Sequence, residues 1–230
     1  MQSLVRLLLV IFLFGFSEKL ISQDFSKELD RVYGLDPLLY NGKKYTYFLP
    51  PGTGGDQFLF SPDYFVGKAT IKGKSFEGIT LNYDIYNQQL LLQYADASGI
   101  FNIIEISKAW LESFRLGDKD FQFLTFADGP RFYQVLGDGP LFILYYWRKK
   151  LELDASHGAT YFTFSPSMKN QYVLAGEKLR PFKNKRSLIS QFDPGHKQEI
   201  RNYLYRNRIK LKKASDQAMT ELINYIGNLE

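Results

Sequence analysis

Short runs of apolar and β-branched residues, separated by turn signals, occupy residues 45–178, beginning with YTYFL at 45–49. FEGITLNYDIY, QLLLQYAD and LFILYYW are further examples, turn signals include NQQ, ASG and GDGP, and successive runs are roughly 8 to 15 residues apart. Strands this close together in sequence pair with their neighbours. The pattern therefore predicts a mainly β fold, an antiparallel meander that forms a sandwich or an open barrel.

Alternation within TLNYDIY predicts which face of its strand is buried. Leu81, Tyr83 and Ile85 alternate with Asn82, Asp84 and Tyr86. The apolar set is therefore expected to face the core and the polar set to face solvent. LFILYYW alternates only weakly, so both of its faces are expected to be covered.

The stretch GKATIKGKS, residues 67–75, is close to a phosphate-binding loop. That loop needs four residues between its first glycine and the Gly-Lys pair, and it opens a helix. Here five residues intervene, and strand-forming residues follow Ser75. We therefore predict a β-hairpin, with Lys72, Gly73 and Lys74 as its tight turn.

The chain becomes basic after residue 178. Residues 178–213 contain twelve Lys and Arg but only two acidic residues, a net charge of +10, whereas the whole chain carries +5. Within this segment, EIRNYLYRNRIKL has helical periodicity from Ile200 to Leu211. The cations that lie away from its apolar stripe are Arg201, Arg208 and Lys212.

A second helix is expected closer to the C-terminus, because four apolar residues follow the spacing of a helix packed on a sheet. Its apolar stripe is Met219, Leu222, Ile223 and Ile226. Ser215 or Asp216 can cap its first turn. Residues 178–230 are therefore expected to form a basic helical segment packed on an antiparallel β-domain, residues 23–177, which begins with a short helix.

The first 22 residues have the layout of a secretory signal peptide, with Arg6, an apolar run from Leu7 to Phe16, and then small and polar residues. This run is too short to cross a bilayer as a helix, which takes about 20 residues. The mature chain is therefore expected to be exported, not transmembrane, and periplasmic or associated with an outer membrane. It has no cysteine, so no disulfide supports its fold.

Candidate catalytic groups are sparse. With no cysteine and only two histidines, His157 and His196, the chain has neither a thiol nucleophile nor the ligands for a three-histidine zinc site. Both histidines are expected to be ordinary surface residues. The sequence therefore assigns no catalytic residue, no metal site and no cofactor, and a non-enzymatic role is favoured.

Paired carboxylates are the enzymatic alternative, because a glycan hydrolase needs only two Asp or Glu side chains placed around a sugar. Asp84, Glu105 and Asp120 are the candidates, although each also fits an ordinary solvent-facing position on a strand. Hydrolysis of envelope glycans stays open as the alternative function. Aromatic residues make up 17% of the chain and leave open a third function, the binding of an apolar ligand.

The basic segment is the candidate binding surface. Arg201, Arg206, Arg208 and Lys212 are predicted to form its basic helical face. Clustered cations of this kind attract an acidic protein surface or anionic lipid headgroups. No nucleic-acid-binding motif is present, and export argues against nucleic acid as a partner. A solvated face that balances the charge of the acidic β-domain is the competing interpretation.

A family resemblance comes from the order of LLYNGKKYTYF, a Gly-rich loop, QFLFSPDYFVGKATIKGKSFEGITLNYDIYNQQLLLQ and YYWRKKLEL, followed by a strand and basic helices. This order resembles secreted proteins of Bacteroidota that have no assigned activity. The resemblance implies a periplasmic or outer-membrane-associated protein, and it transfers no active-site residue. We therefore expect an exported, non-enzymatic binding or scaffold protein of the bacterial cell envelope, which docks through its basic helices.

Overall fold

The computed structural model of the chain describes residues 35–96, 98–154 and 161–229. The signal peptide expected over residues 1–22, the short helix expected after it, and His157 lie outside these described residues. Strands far outnumber helices in the described part, which confirms the prediction of a mainly β fold.

Thirteen strands run through the described residues, and eleven of them belong to one sheet. In chain order the strands are β1 Lys43–Lys44, β2 Phe65–Ile71, β3 Lys74–Asp84, β4 Gln89–Ala95, β5 Phe101–Glu105, β6 Leu111–Leu116, β7 Lys119–Phe126, β8 Gly129–Leu136, β9 Leu141–Arg148, β10 Leu151–Leu153, β11 Phe162–Phe164, β12 Met168–Ala175 and β13 Lys178–Phe182. All the pairings between these strands are antiparallel.

The large sheet has the strand order β1-β5-β4-β3-β2-β6-β7-β8-β9-β12-β13, and β10 pairs with β11 in a separate sheet. Most neighbours in the large sheet are also neighbours in sequence, which is the connectivity of the predicted meander. Its two edge strands, β1 and β13, do not pair with each other. The strands therefore form one continuous open sheet that hydrogen bonds do not close into a barrel.

The predicted strand at 45–49, YTYFL, is wrong, because only Lys43 and Lys44 pair with β5. The Tyr45 N–H donates one further hydrogen bond, to the Ile103 carbonyl at 3.0 Å, and the chain then leaves the sheet. Two prolines follow this run at positions 50 and 51. Because proline lacks the N–H donor of a strand and restricts the residue before it, the run cannot continue the ladder.

The hairpin predicted at GKATIKGKS is confirmed. β2 pairs with β3, and the pair next to the turn is Ile71 with Lys74. Lys72 and Gly73, the two residues between them, have φ angles of 48° and 75°. Positive φ at both central residues is typical of a type I′ turn, whose twist matches that of the flanking strands. Lys74 is the first residue of β3 and not part of the turn.

Two apolar clusters fill the core. The first lies along β2 to β8, and its centre is Tyr83, whose ring packs edge-on against those of Phe114, Phe121 and Phe132. The centroid distances are 5.2, 5.4 and 5.8 Å. The second cluster lies between the last strands of the sheet and the C-terminal helices. Trp147 contacts both clusters, so the sheet and the helices share a continuous core.

The described helices follow the last strand and are α1 Lys185–Ile189, α2 Lys197–Arg206 and α3 Asp216–Gly227. A 3-10 turn, Leu211–Lys213, lies between α2 and α3. The predicted apolar stripe of α3 is buried against β8 and β9, which confirms this helix. Ser215 is its N-cap, because the Ser215 hydroxyl accepts a hydrogen bond from the Ala218 N–H at 3.2 Å.

The first predicted helix of the basic segment is shorter than EIRNYLYRNRIKL, because α2 ends at Arg206. The Arg208 N–H donates to the Tyr205 carbonyl at 3.0 Å. The Ile209 N–H donates to the Leu204 carbonyl at 2.9 Å. These two bonds and the positive φ of Arg208, 53°, form a Schellman motif, which ends a helix. The segment from residue 178 also begins with strand β13, so it is not helical from its start.

Burial along β3 differs from the predicted alternation. The apolar residues of this strand are buried as expected, but Asn82 and Asp84 are also completely buried, so the expectation that they face solvent is wrong. The chain between β1 and β2 covers this second face of the sheet. The Asn82 amide donates to the carbonyls of Ser61 and Asp63 at 3.0 and 2.9 Å. The Tyr45 hydroxyl donates to Asp84.

Candidate functional site

The four cations predicted as the binding surface are all exposed, but they do not share one helical face. Arg201 and Arg206 are both on α2, five residues apart, which separates them by about 140° around the helix axis. Arg208 follows the end of α2, and Lys212 lies in the 3-10 turn. The structure therefore does not assemble these side chains into a single stripe.

A pocket of about 440 Å³ lies between α1 and α2, and it brings Arg201 together with cations that the sequence did not single out. The lining residues are Lys185, Arg186, Ile189, Ser190, Lys197 and Arg201. Four of these side chains are cationic at neutral pH. The structure thus places a cavity lined by four cationic residues, the α1–α2 pocket, on the basic segment.

The spacing of the lining residues explains how two helices form one pocket. Lys185 and Ile189 are four residues apart on α1, and Lys197 and Arg201 are four residues apart on α2. Side chains at this spacing lie on the same side of a helix. The spacing is visible in the sequence, but the convergence of the two helices is not, and Lys185, Arg186 and Lys197 were therefore missed.

Apolar anchors and a cap hold the two helices in place. Leu188 of α1 and both Ile200 and Leu204 of α2 are buried in the second core cluster. Asn184 caps α1, since its side-chain oxygen accepts a hydrogen bond from the Ser187 N–H at 2.9 Å. The pocket is therefore formed by elements that are anchored in the core, which fixes the backbone that carries its cationic side chains.

The cations of the α1–α2 pocket have no acidic partner in the described parts of the chain. No described carboxylate lies within 4.0 Å of their charged nitrogen atoms. Arg201 donates one hydrogen bond of 3.3 Å, to the neutral side chain of Gln198. Clustered charges of one sign attract ligands of the opposite sign. The pocket is therefore suited to an anion.

Asp84, the first carboxylate candidate, is an internal structural group. It accepts hydrogen bonds from the Tyr45 hydroxyl at 2.9 Å and from the N–H groups of Tyr86 and Asn87 at 3.0 and 2.8 Å. The Asn87 amide donates a fourth bond at 2.8 Å. These bonds fix the turn between β3 and β4 and anchor the chain that follows β1. With no exposed surface, Asp84 does not face a substrate groove.

The other two carboxylate candidates have protein partners of their own. Glu105 on β5 accepts a hydrogen bond from the Gln89 amide at 2.8 Å and pairs with Lys43 at 3.4 Å. Asp120 on β7 is three strands away from β3 in the sheet and forms a two-point ion pair with Arg115, at 2.6 and 2.7 Å. The structure therefore does not place any two of these three carboxylates on either side of an open site.

Burial shifts the pKa of side chains near Asp84. Burial raises the pKa of Tyr64 to about 12, and the charge of Asp84 acts in the same direction. Burial also raises the pKa of Tyr47 to about 12. Burial lowers the pKa of Lys108, against the opposing effects of Glu105 and Asp84. The two tyrosines therefore keep their protons at neutral pH, where they can donate hydrogen bonds but do not act as bases.

A polar network joins the sheet to α3. The Gln134 amide donates to Asp216 at 2.7 Å, the Trp147 indole N–H donates to Gln134 at 2.8 Å, and Lys119 pairs with the same carboxylate. Burial alone would raise the pKa of Asp216, but the hydrogen bonds from Lys119 and Gln134 outweigh burial and lower it. The carboxylate is therefore charged at neutral pH, and it fixes the start of α3 to the sheet.

Comparisons with known proteins returned no match. No protein-family model matches the chain, and neither a curated protein nor a solved structure is significantly similar to it. Over residues 35–96, 98–154 and 161–229, no helix combines the length and the apolar composition needed to cross a membrane. The same residues contain no group of three His, Asp or Glu side chains that could hold a metal ion. His196 is half-buried at the N-cap of α2.

Proposed function

We propose that this chain is an exported binding or scaffold protein of the bacterial cell envelope, which docks on an anionic partner through residues 178–213. The observation that carries the proposal is the α1–α2 pocket, where four cationic residues that have no acidic partner among the described residues line one cavity. Cations that only balanced the acidic β-domain would have no reason to converge on a cavity. Their convergence supports binding over charge balance.

The distribution of charge supports the same function. Residues 178–213 carry +10, whereas the whole chain carries only +5, so the remainder is acidic. A chain polarised in this way orients itself in the field of an anionic partner and associates faster than a neutral one. Because α1 and α2 are already packed on the core, little backbone entropy is lost when the partner binds.

Export is part of the proposal and is supported by the sequence of the first 22 residues. The resemblance to secreted proteins of Bacteroidota supports an envelope location. The absence of cysteine agrees with a fold that depends on core packing alone. The first 22 residues and the resemblance together favour a partner in the periplasm or at an outer membrane.

The positions of Asp84 and Asp120 do not favour the glycan hydrolase alternative. A paired-carboxylate hydrolase needs two carboxyl groups on either side of a sugar-binding groove. Asp84 is buried and makes four hydrogen bonds, while Asp120 is bound to Arg115 elsewhere on the sheet. We therefore propose the binding function alone.

Affinity purification from cell envelopes tests the proposal. The tagged mature protein is incubated with mildly solubilised envelopes of its host at low and at high salt, and mass spectrometry identifies the proteins that co-purify. Exposed charges are screened beyond about 8 Å at physiological ionic strength, and over shorter distances at higher salt. A stoichiometric partner is therefore expected at low salt, with a large loss at high salt.

Two variants make this test specific. In the basic-segment variant, Gln replaces Arg201, Arg206, Arg208 and Lys212, and it is expected to lose the partner. In the β-domain control, Gln replaces Lys44, Lys72, Arg115 and Lys150, which are also exposed, so the same charge is removed elsewhere. The control is expected to keep the partner. Unchanged capture by the basic-segment variant, or equal loss in both variants, would contradict docking through this segment.

A further inference from the structure

The α1–α2 pocket has the size of a small-molecule site. Its volume of about 440 Å³ lies within the range of ligand pockets, which is about 300 to 1,000 Å³. One water molecule takes up about 30 Å³ in the liquid, so a single small ion would fill only a minor part of this space. The pocket therefore fits an anionic group attached to a larger body.

The charges around the pocket favour a group with at least two negative charges. Arg186 and Arg201 carry planar guanidinium groups, which can bind phosphate through two parallel hydrogen bonds. Lys185 and Lys197 add two compact positive charges. A carboxylate would offset only one of these four charges. A phosphate monoester or a diphosphate offsets more of them and offers several strong acceptor oxygens.

The two acidic side chains within residues 178–213 are directed away from the pocket. Glu199 is two positions after Lys197, which places it about 200° around α2 from that pocket residue. Asp193 accepts a hydrogen bond from the Gly195 N–H at 2.7 Å, in the loop between α1 and α2. Neither carboxylate lies within 4.0 Å of a pocket cation. The positive potential of the pocket is therefore not neutralised from within the segment.

The remaining lining residues describe the rest of the ligand. Ile189 is only 6% exposed and provides an apolar wall. The Ser190 hydroxyl donates to the Ser187 carbonyl at 3.0 Å, and its oxygen can still accept a hydrogen bond. None of the described lining residues is aromatic, so the pocket lacks the stacking platform on which nucleic-acid bases bind. A sugar or a lipid headgroup fits this lining better than a nucleotide.

We propose that the α1–α2 pocket binds a phosphorylated ligand without an aromatic base. Its phosphate contacts Lys185, Arg186, Lys197 and Arg201, and its body lies against Ile189. This inference rests on the proposed function, because it takes the basic segment as the binding surface and names the chemistry recognised there. It is also narrower, since an acidic protein could dock on the segment without a phosphate in the pocket.

Calorimetric titration of the mature protein with pyrophosphate, at constant ionic strength, tests the pocket. The pocket variant Arg186→Gln/Lys197→Gln removes two charges from the lining. The matched variant Lys44→Gln/Lys150→Gln removes two exposed charges of the β-domain, outside the pocket. The pocket variant is expected to raise the dissociation constant at least about tenfold, because hydrogen bonds to charged groups are lost. The matched variant is expected to change it less than about twofold, since only distant screened charges are removed.

Sedimentation with vesicles separates the two sources of phosphate. Phosphatidylcholine vesicles that contain phosphatidic acid are compared with pure phosphatidylcholine vesicles. Binding to phosphatidic acid that the pocket variant reduces assigns the site to a lipid headgroup. Pyrophosphate binding without vesicle binding assigns it to a soluble phosphorylated molecule. Either result supports the inference.

The inference is overturned if the wild-type protein binds neither probe at concentrations up to about 1 mM, or if the two double variants weaken binding equally. Affinity purification from cell envelopes then tests docking through the basic segment independently of the pocket. Loss of the envelope partner in the basic-segment variant, without any phosphate binding, would contradict the pocket and leave docking intact. Phosphate binding in the pocket, with unchanged capture by that variant, would contradict docking and leave the pocket intact.

Discussion

Asp84 is a completely buried carboxylate that accepts four hydrogen bonds, and its removal would leave several donors without a partner inside the protein. Asp84→Ala is expected to lower the free energy of unfolding by about 3 kcal/mol or more. Asp120→Ala breaks only an exposed ion pair and is expected to cost less than about 1 kcal/mol. Urea unfolding measures both, and a similarly small loss in both variants would contradict the structural role of Asp84.

Arg208 occupies the position of the Schellman motif where glycine is usual, with a φ of 53°. A left-handed conformation is unfavourable for any residue with a Cβ atom. Arg208→Gly is therefore expected to raise the free energy of unfolding by about 0.5–1 kcal/mol. Lys210→Gly serves as the control. Lys210 has an ordinary φ of −105°, so glycine at this position is expected to destabilise the protein. Thermal unfolding distinguishes the two, and a loss of stability in both would contradict strain at Arg208.

Asp216 makes the stability of the protein depend on pH. Its pKa is lowered in the folded state, so its contribution is complete above its ordinary pKa of 3.8 and is lost as the pH falls through the lowered value. Asp216→Asn is expected to cost about 2 kcal/mol at about pH 7 and clearly less at about pH 3. Urea unfolding at both pH values measures this. Glu152→Gln, at an exposed carboxylate on β10, is the control. The same dependence on pH in both variants would contradict the role of Asp216.

At the scale of elements, local sequence predicted the features that local interactions determine. The I′ hairpin at Lys72 and Gly73 and the stripe of α3 follow from short-range patterns, and both are confirmed. Patterns failed where partners distant in sequence decide the result. The buried second face of β3 depends on the irregular chain after β1, and the early end of α2 depends on the packing of Ile209 against the last strands and α3 in the second core cluster. Neither contact leaves a periodic signal.

Helix α3 is expected to stabilise the fold through its buried stripe. Ile223 is completely buried between α3 and the last strands of the sheet. Ile223→Ala is expected to lower the free energy of unfolding by about 2–4 kcal/mol, because it leaves a cavity in a packed core. Glu221→Ala, on the exposed side of the same helix, is expected to change it by less than about 0.5 kcal/mol. Chemical denaturation compares them, and a cost at Ile223 as small as that at Glu221 would contradict this packing.

At the scale of the whole molecule, a charged segment lies at one end of a long open sheet. The sequence shows the net charge of +10 of residues 178–213, and its pattern predicts that Arg201 is exposed. The α1–α2 pocket is not visible there, because it depends on how two helices, separated by a loop, pack on the same apolar cluster. The sequence therefore identified the segment and its sign of charge, whereas the structure identified which cations act together.

Fractionation of the host cells is the most direct test of docking through the basic segment. The wild-type protein and the β-domain control are expected to sediment with the envelope fraction and to be released by high salt. The variant with Gln at Arg201, Arg206, Arg208 and Lys212 is expected in the soluble fraction, provided that circular dichroism shows it folded. Equal sedimentation of this variant and the wild-type protein would rule out docking through the basic segment.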